Sequence, residues 1–78
     1  MNTFTLSSDC IQNISTRFFY EGDKLCYRIE LAYEKTERIV YFEEYKNYSD
    51  YKESHEELLR AMQSKQDLSC NFRALASA

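Results

Sequence analysis

Residues 24–33, with the sequence KLCYRIELAY, carry the clearest structural pattern in the chain. Large apolar side chains recur there at every second position, at Leu25, Tyr27, Ile29, Leu31 and Tyr33. The intervening positions are Lys24, Cys26, Arg28, Glu30 and Ala32. Successive side chains of a strand point to opposite faces, so this alternation predicts a strand with one buried and one solvated face. We take it as the middle strand of a small antiparallel sheet.

The segments on either side of this stretch predict a three-stranded meander. The preceding segment, from about Ile14 to Tyr20, is rich in strand formers and would direct four side chains inward: Ile14, Thr16, Phe18 and Tyr20. Gly22, the single glycine, lies between the two strands and can adopt the positive φ of a tight turn. The following segment, from about Arg38 to Tyr45, predicts the third strand after a polar loop.

The N-terminal part of the chain has two interpretations. Residues 2–7 alternate weakly and could add a fourth strand. Residues 9–18 fit either a short helix, capped by Asp9 with Gln12, or the start of the strand that contains Ile14. The strand is favoured because Ile, Thr, Phe and Tyr prefer extended backbone.

A helix is expected after the third strand. Asp50, with Glu53 three residues later, has the form of a capping box and predicts its start. Apolar side chains then recur at helical spacing, at Tyr48, Tyr51, His55, Leu58, Leu59 and Met62. The helix should end near Lys65 or Gln66, where a basic residue suits the helix dipole. The expected contacts join Tyr51, Leu58 and Met62 of the helix to Leu25, Ile29 and Leu31 of the middle strand.

The chain length allows one domain, covering residues 1–78. Residues 67–78 fit either a helix capped by Asp67 or a strand through Leu68, Cys70 and Phe72. The predicted fold class is therefore α+β: a three-stranded antiparallel meander, four-stranded if residues 2–7 join it, with one amphipathic helix packed on one face and a short C-terminal element of either type.

The third strand is unusual because it is apolar on both faces. Ile39, Tyr41 and Tyr45 share one face, and Val40 and Phe42 share the other. In a meander this strand lies at an edge, where unpaired backbone groups and apolar area would be exposed together. Residues 67–78 could cover this edge, or a foreign strand could add to it. A second copy of the chain could also pair there, which makes Val40 and Phe42 the candidate dimer edge.

Composition excludes several chemistries. A single glycine rules out glycine-rich phosphate-binding loops. Three widely spaced cysteines, Cys10, Cys26 and Cys70, follow an N-terminal segment without signal-peptide features, which predicts reduced thiols in a cytoplasmic protein. No apolar run is long enough to span a membrane.

Catalysis is not expected. The only histidine, His55, lies on the apolar stripe of the predicted helix, and the cysteines lack the paired spacing of a zinc site. The acidic pairs Glu43-Glu44 and Glu56-Glu57 could serve as catalytic carboxylates, but such pairs are far more often solvated. A chain of this size rarely encloses a substrate pocket. We therefore expect a non-catalytic protein without metal or cofactor.

The negative charge is concentrated in one segment. Residues 43–57 carry six acids and two bases, a net charge of −4 against −3 for the whole chain. With their tyrosines they predict a surface for a basic protein, since carboxylates steer the encounter and tyrosines supply contact area. The candidate binding residues are Glu43, Glu44, Tyr45, Tyr48, Asp50, Glu53, Glu56 and Glu57.

The β-β-β-α order with an acidic, aromatic surface resembles the small proteins by which phages inhibit bacterial CRISPR complexes. This resemblance is one of size, element order and charge, and it implies an inhibitor or a nucleic-acid mimic. The alternative function is binding of single-stranded nucleic acid by the sheet, with aromatic rings stacking on bases beside arginines. Its candidate residues are Phe19, Tyr27 and Phe42 with Arg17, Arg28 and Arg38. The net negative charge disfavours this alternative.

Overall fold

The computed structural model describes residues 4–75, which form an α+β fold of one helix and two antiparallel sheets. The elements in chain order are β1 (Phe4–Leu6), a 3₁₀ turn (Ser8–Cys10), β2 (Ile11–Glu21), β3 (Lys24–Glu34), β4 (Arg38–Tyr45), α1 (Tyr48–Ser64), β5 (Leu68–Cys70) and β6 (Arg73–Ala74). The larger sheet has the strand order β2-β3-β4-β6, and β1 pairs with β5 in the smaller one. The predicted fold class is thus confirmed.

The β2–β3 hairpin brings the predicted inward-facing residues of its two strands together. Phe18 lies opposite Tyr27 and Thr16 opposite Ile29, so the inward-facing sets of the two strands coincide. Gly22 adopts a φ of 68° in the two-residue turn, a conformation that favours glycine. β2 begins at Ile11, directly after the 3₁₀ turn, so the strand interpretation of residues 9–18 is confirmed for all but their first two residues.

The fourth strand of the larger sheet comes from the C-terminal segment, not from residues 2–7. β6 pairs with β4, placing Tyr41 opposite Ala74 and Phe42 opposite Arg73. The described part of the N-terminal segment forms β1, which pairs with β5 in the smaller sheet; residues 2 and 3 lie outside the described chain. The ambiguous C-terminal element is therefore two short strands. One of them, β6, pairs with the edge of β4 that had no partner strand in the predicted meander.

The helix starts one turn earlier than predicted. Asn47, in extended conformation, is the N-cap: its side-chain oxygen accepts the Asp50 N–H at 2.9 Å, and its amide donates to the Asp50 carboxylate at 3.0 Å. The predicted capping box of Asp50 and Glu53 is wrong because Asn caps as well as Asp does and precedes it in the chain. The predicted end is confirmed: Lys65 adopts the left-handed conformation, and the Gln66 N–H reaches the Ala61 carbonyl at 3.0 Å.

The core lies between α1 and the inner face of the larger sheet, and the smaller sheet closes it. Its buried members are Leu6, Ile11, Ile29, Leu31, Tyr33, Leu58 and Phe72. Tyr51 and Met62 pack against this cluster, as predicted. Leu25 does not take part: β4 ends opposite Tyr27, and Leu25 lies beyond that point with 37% of its surface exposed.

The apolar stripe of α1 also differs from the prediction. Tyr48 and Leu59 are exposed, whereas Ala61 is buried and Ser54 is half-buried. The stripe is therefore centred on Leu58, and the two large side chains lie at its margin. On the β4 side of the helix, the small Ser54 side chain lies within hydrogen-bond distance of the Tyr45 hydroxyl.

Aromatic rings connect the start of α1 to the sheet. Tyr51 stacks on Tyr27 with ring centroids 5.0 Å apart, and Tyr48 lies 5.9 Å from both rings. The Tyr51 hydroxyl is 3.0 Å from the Thr16 hydroxyl on β2. We call Tyr27, Tyr45, Tyr48 and Tyr51 the tyrosine cluster. Its contacts fix the direction in which α1 crosses the sheet.

The three cysteines are unpaired thiols, with Cys26 buried and Cys10 and Cys70 half-buried. Within residues 4–75, no helix combines the length and the apolar character needed to cross a membrane.

Candidate functional site

The predicted acidic residues are divided between two faces of the sheet. Glu43 lies opposite Ile29 on the face that carries α1, whereas Glu44 lies opposite Arg28 on the outer face. Neighbouring residues of a strand point in opposite directions, so the two carboxylates cannot share a surface. The eight candidate residues therefore do not form one continuous site.

An open groove lies between α1, β4 and the segment that follows β5. It has a volume of about 250 Å³. Besides Ser69 and Asn71, its polar lining comes from Glu43 and Tyr45 of β4, Ser54 and Glu57 of α1, and Cys70 of β5. We call Glu43, Tyr45, Ser54, Glu57 and Cys70, with the space between them, the acidic groove. Leu58, Leu68 and Phe72 supply apolar lining.

Glu43 is a half-buried carboxylate that forms no salt bridge within the described chain. Burial raises the pKa of Glu43, and the nearby charge of Arg73 offsets this only in part. The Arg73 guanidinium is directed to Glu44 on the outer face, 4.0 Å away, and no salt bridge joins Glu43 to any cation within residues 4–75. The groove thus contains negative charge that an external cation could neutralise.

Tyr45 and Cys70 give the groove a neutral wall at physiological pH. The Tyr45 hydroxyl lies 2.6 Å from the Ser54 hydroxyl, and burial raises the Tyr45 pKa to about 12. Burial also raises the pKa of the Cys70 thiol. Nucleophilic cysteines need a lowered pKa, so we expect the Cys70 thiol to line the groove without acting as a nucleophile. His55 contacts Tyr51, not the groove lining.

The rim of the groove continues along α1. Ser54 marks the side of the helix that faces β4. At about 3.6 residues per turn, Asp50, Glu53 and Glu57 lie on the flank next to Ser54. All three are exposed, and neither Glu53 nor Glu57 forms a salt bridge within the described chain. Glu56 lies further from β4 and is 3.9 Å from Arg60.

Of the predicted set, the structure thus brings Glu43, Tyr45 and Glu57 together in the groove, and helical spacing places Asp50 and Glu53 on the same flank of α1 as Glu57. The structure separates Glu44, Tyr48 and Glu56 from these residues. Tyr48 belongs to the opposite flank of α1, because its ring packs on Tyr27 and Tyr51.

The arginines of the nucleic-acid alternative are largely engaged by carboxylates. Arg28 donates from Nε to Glu44 at 3.0 Å and lies 3.5 Å from Glu30, and its pKa is raised mainly by the hydrogen bond to Glu44. Arg17 is 3.1 Å from Glu30. The Phe42 ring lies under two guanidinium groups, at 4.7 Å from Arg28 and 4.6 Å from Arg73.

The remaining residues of that alternative are dispersed. Phe19 and Phe42 share the outer face with Arg17 and Arg28, but Tyr27 stacks under the helix on the inner face. Arg38 lies opposite Glu34 at the other end of β4. A groove of about 520 Å³ does remain on the outer face beside Arg17 and Phe19.

Sequence reasoning missed Ser54 and Cys70 among the five residues that define the acidic groove. Ser54 is three residues after Tyr51 and four before Leu58, so its helical spacing could have revealed it. Cys70 could not have been found in this way, because its place beside Glu43 depends on pairing between β1 and β5. No group of three or more His, Cys, Asp or Glu side chains suited to a metal ion occurs within the described residues.

Comparisons with protein-family models, with curated proteins and with solved structures found no significant match to this chain.

Proposed function

We propose that this chain is a small, non-catalytic cytoplasmic module that binds a basic segment of another protein at the acidic groove. The observation that carries the proposal is the set of carboxylates around an open groove, with no cation of the described chain paired to Glu43, Glu53 or Glu57. Three unpaired thiols are consistent with a reducing compartment.

The groove offers complementary contacts to a lysine or arginine side chain. The charged end would lie between Glu43 and Glu57, while the aliphatic stem would contact Leu68 and Tyr45. Pairing with a cation would offset the cost of keeping Glu43 ionised while half-buried. The exposed carboxylates of Asp50 and Glu53 would raise the association rate with a basic partner.

A basic partner of this kind could itself be a nucleic-acid-binding protein. The proposal therefore includes action as an inhibitor or nucleic-acid mimic, as the resemblance to phage inhibitors implies. The acidic flank of α1 would then occupy the surface that otherwise contacts phosphates.

The test is a charge reversal with a matched control. A fluorescent peptide rich in lysine and arginine is titrated against the wild type and against Glu53→Lys/Glu57→Lys at low ionic strength. We expect the double variant to bind at least about tenfold more weakly, since two steering or pairing carboxylates become cations. The control is Glu34→Lys/Glu37→Lys, which changes the net charge equally at exposed positions at and just after the end of β3.

The control decides between a site and a general charge effect. Equal weakening by both double variants, or no weakening by the first, would contradict the acidic groove as the binding site. A pull-down from a cell extract with the same three proteins as baits then identifies the partner.

The nucleic-acid alternative has its own signature. The groove beside Arg17 and Phe19 on the outer face is the feature that supports it. Binding of a labelled single-stranded oligonucleotide that weakens steeply with salt, and is lost in Arg17→Glu, would favour the outer face over the acidic groove.

A further inference from the structure

The outer edge of β2 is open along its length. β2 is the terminal strand of the larger sheet, with β3 on one side and no strand of residues 4–75 on the other. In an antiparallel ladder, alternate residues direct their N–H and C=O groups away from the paired neighbour. The 11-residue strand therefore presents a row of backbone donors and acceptors that can pair with another strand.

This edge lacks most of the features that usually prevent strands from pairing. The segment from Asn13 to Tyr20 contains no proline and no lysine, and Arg17 is its only charged residue. The ladder irregularity of β2 is confined to its start, between Ile11 and Asn13. The other edge of the sheet differs, because β6 covers the middle of β4 and the Leu75 N–H donates to the Val40 carbonyl at 2.7 Å.

Exposed aromatic rings lie on the same strand. Phe18 is 64% exposed and Tyr20 is 71% exposed, both on the inner face of the sheet beyond the start of α1. Leu25, opposite Tyr20, and Tyr48 extend this apolar surface. We call Phe18, Tyr20, Leu25 and Tyr48 the aromatic patch. Open backbone groups and the patch together make this the part of the described chain best suited to pairing with another strand.

We propose that a second copy of this chain occupies the edge, by antiparallel pairing of the two β2 strands about a two-fold axis. The interface is then isologous and joins two four-stranded sheets into one of eight strands. It is independent of the acidic groove and replaces Val40 and Phe42 as the dimer edge, because β6 already pairs with β4 there.

The side chains of β2 are compatible with antiparallel pairing to a second β2. When Phe18 lies opposite the Phe18 of the second copy, each Arg17 faces the other copy's Phe19, and a cation above an aromatic ring is attractive. A shift that places Arg17 opposite the Arg17 of the second copy is unfavourable, since like charges would face each other. In the favourable register the two aromatic patches adjoin at the axis.

The mass of the protein in solution tests this pairing. The wild type should elute from size exclusion with light scattering at twice the 9.3 kDa chain mass, with dissociation on dilution. Phe18→Lys/Tyr20→Lys should halve the mass, because both side chains are exposed and lie outside the core cluster, although Phe18 also loses its edge contact with the Tyr27 ring. The control is Leu75→Lys, a 42% exposed residue at the opposite edge, which should remain dimeric.

Amide hydrogen exchange on the wild type gives a second readout that needs no variant. Raising the protein concentration should slow exchange at alternate amides of β2 and leave those of residues 73–75 unchanged. A wild type with a solution mass of 9.3 kDa, whose β2 amides exchange at a rate independent of protein concentration, would overturn the proposal. A foreign strand would then be the remaining candidate for this edge. A dimer that persists in Phe18→Lys/Tyr20→Lys would equally overturn the proposal.

Discussion

At the scale of single residues, Glu43 is a carboxylate whose position reduces the stability of the fold. Its carboxylate is on the inner face of the sheet, opposite the fully buried Ile29, where an apolar side chain would normally lie. Burial raises the pKa of Glu43, so ionising this carboxyl costs more free energy in the folded state than in the unfolded chain. A residue kept at such a position against the demands of packing is expected to have a role other than folding.

We predict that Glu43→Gln stabilises the protein at neutral pH. The folded-state pKa of Glu43 is raised, so the protonated carboxyl adds to the free energy of unfolding below the unfolded-state pKa. This contribution is lost as pH rises through the folded-state pKa, and at pH 7 the ionised carboxylate is destabilising. Gln stays neutral, so the variant should have a higher Tm at pH 7, and the gain should disappear as pH falls towards 4. Calorimetric unfolding over this range measures the effect.

The matched control for this prediction is Glu44→Gln. Glu44 accepts hydrogen bonds from Arg28 on the outer face, so its neutralisation should lower Tm at pH 7 instead of raising it. A Tm gain for Glu43→Gln that persists unchanged at acidic pH would contradict the assigned cause.

The sequence could predict which residues face inward along each strand, but not which of them the helix covers. Period-two alternation correctly grouped Tyr27, Ile29 and Leu31 on the inner face. It could not show that α1 leaves Leu25 and Phe18 uncovered, because that depends on where β4 ends and where the helix begins. The division of the acidic set, by contrast, follows from the alternation itself: Glu43 and Glu44 are neighbours in the predicted third strand and therefore lie on opposite faces.

At the scale of elements, the ends of α1 are set by side-chain and backbone hydrogen bonds. Asn47 and Asp50 satisfy amide donors at the start, and the left-handed Lys65 allows two carbonyls of the last turn to be satisfied at the end. The sequence predicted the end correctly from the basic residue there. The start was missed because three possible caps, Asn47, Ser49 and Asp50, occur within four residues.

Asn47→Ala should destabilise the protein by about 1 kcal/mol, because the Asp50 N–H loses its acceptor. For a domain of this size, the corresponding drop in Tm is roughly 4–8 °C. Ser49→Ala is the control, since this exposed neighbour makes no capping hydrogen bond in the described chain and should leave Tm nearly unchanged. Equal effects of both substitutions would place the cap elsewhere.

Lys65→Gly should stabilise the protein by roughly 0.5–1 kcal/mol, since a φ of 54° strains any residue with a Cβ atom. The same change at Gln66, which does not have a positive φ, should instead be destabilising through the entropy of the unfolded chain. Chemical denaturation of the two variants gives opposite shifts of the midpoint if the left-handed conformation is the cause.

At the scale of the whole molecule, segments distant in sequence complete the core. Leu6 of β1 and Phe72, between β5 and β6, belong to the same buried cluster as Leu31 and Leu58. The central hairpin and the helix were predictable because their patterns are local. The smaller sheet and the pairing of β6 were not, because strands of two or three residues carry no periodicity of their own and depend on contacts across the chain.

Phe72→Ala should therefore destabilise the fold by about 3–5 kcal/mol, a large share of the stability of a domain this small. Phe72 is 5% exposed and belongs to the core cluster. Leu75→Ala, three residues later at an exposed position, should change the free energy of unfolding by no more than about 0.5 kcal/mol. A small effect at Phe72 would show that the C-terminal segment is not part of the cooperative unit.

The tyrosine cluster has a practical consequence. The chain contains no tryptophan, and four of its seven tyrosines belong to the cluster. The stacked pair, one ring from α1 and one from β3, lies 5.0 Å apart. Coupling between such rings gives a near-ultraviolet circular dichroism signal when they are held rigidly. That signal should report the docking of α1 on the sheet without any attached label, and its loss before the far-ultraviolet helical signal would reveal a state in which the helix persists after its packing is lost.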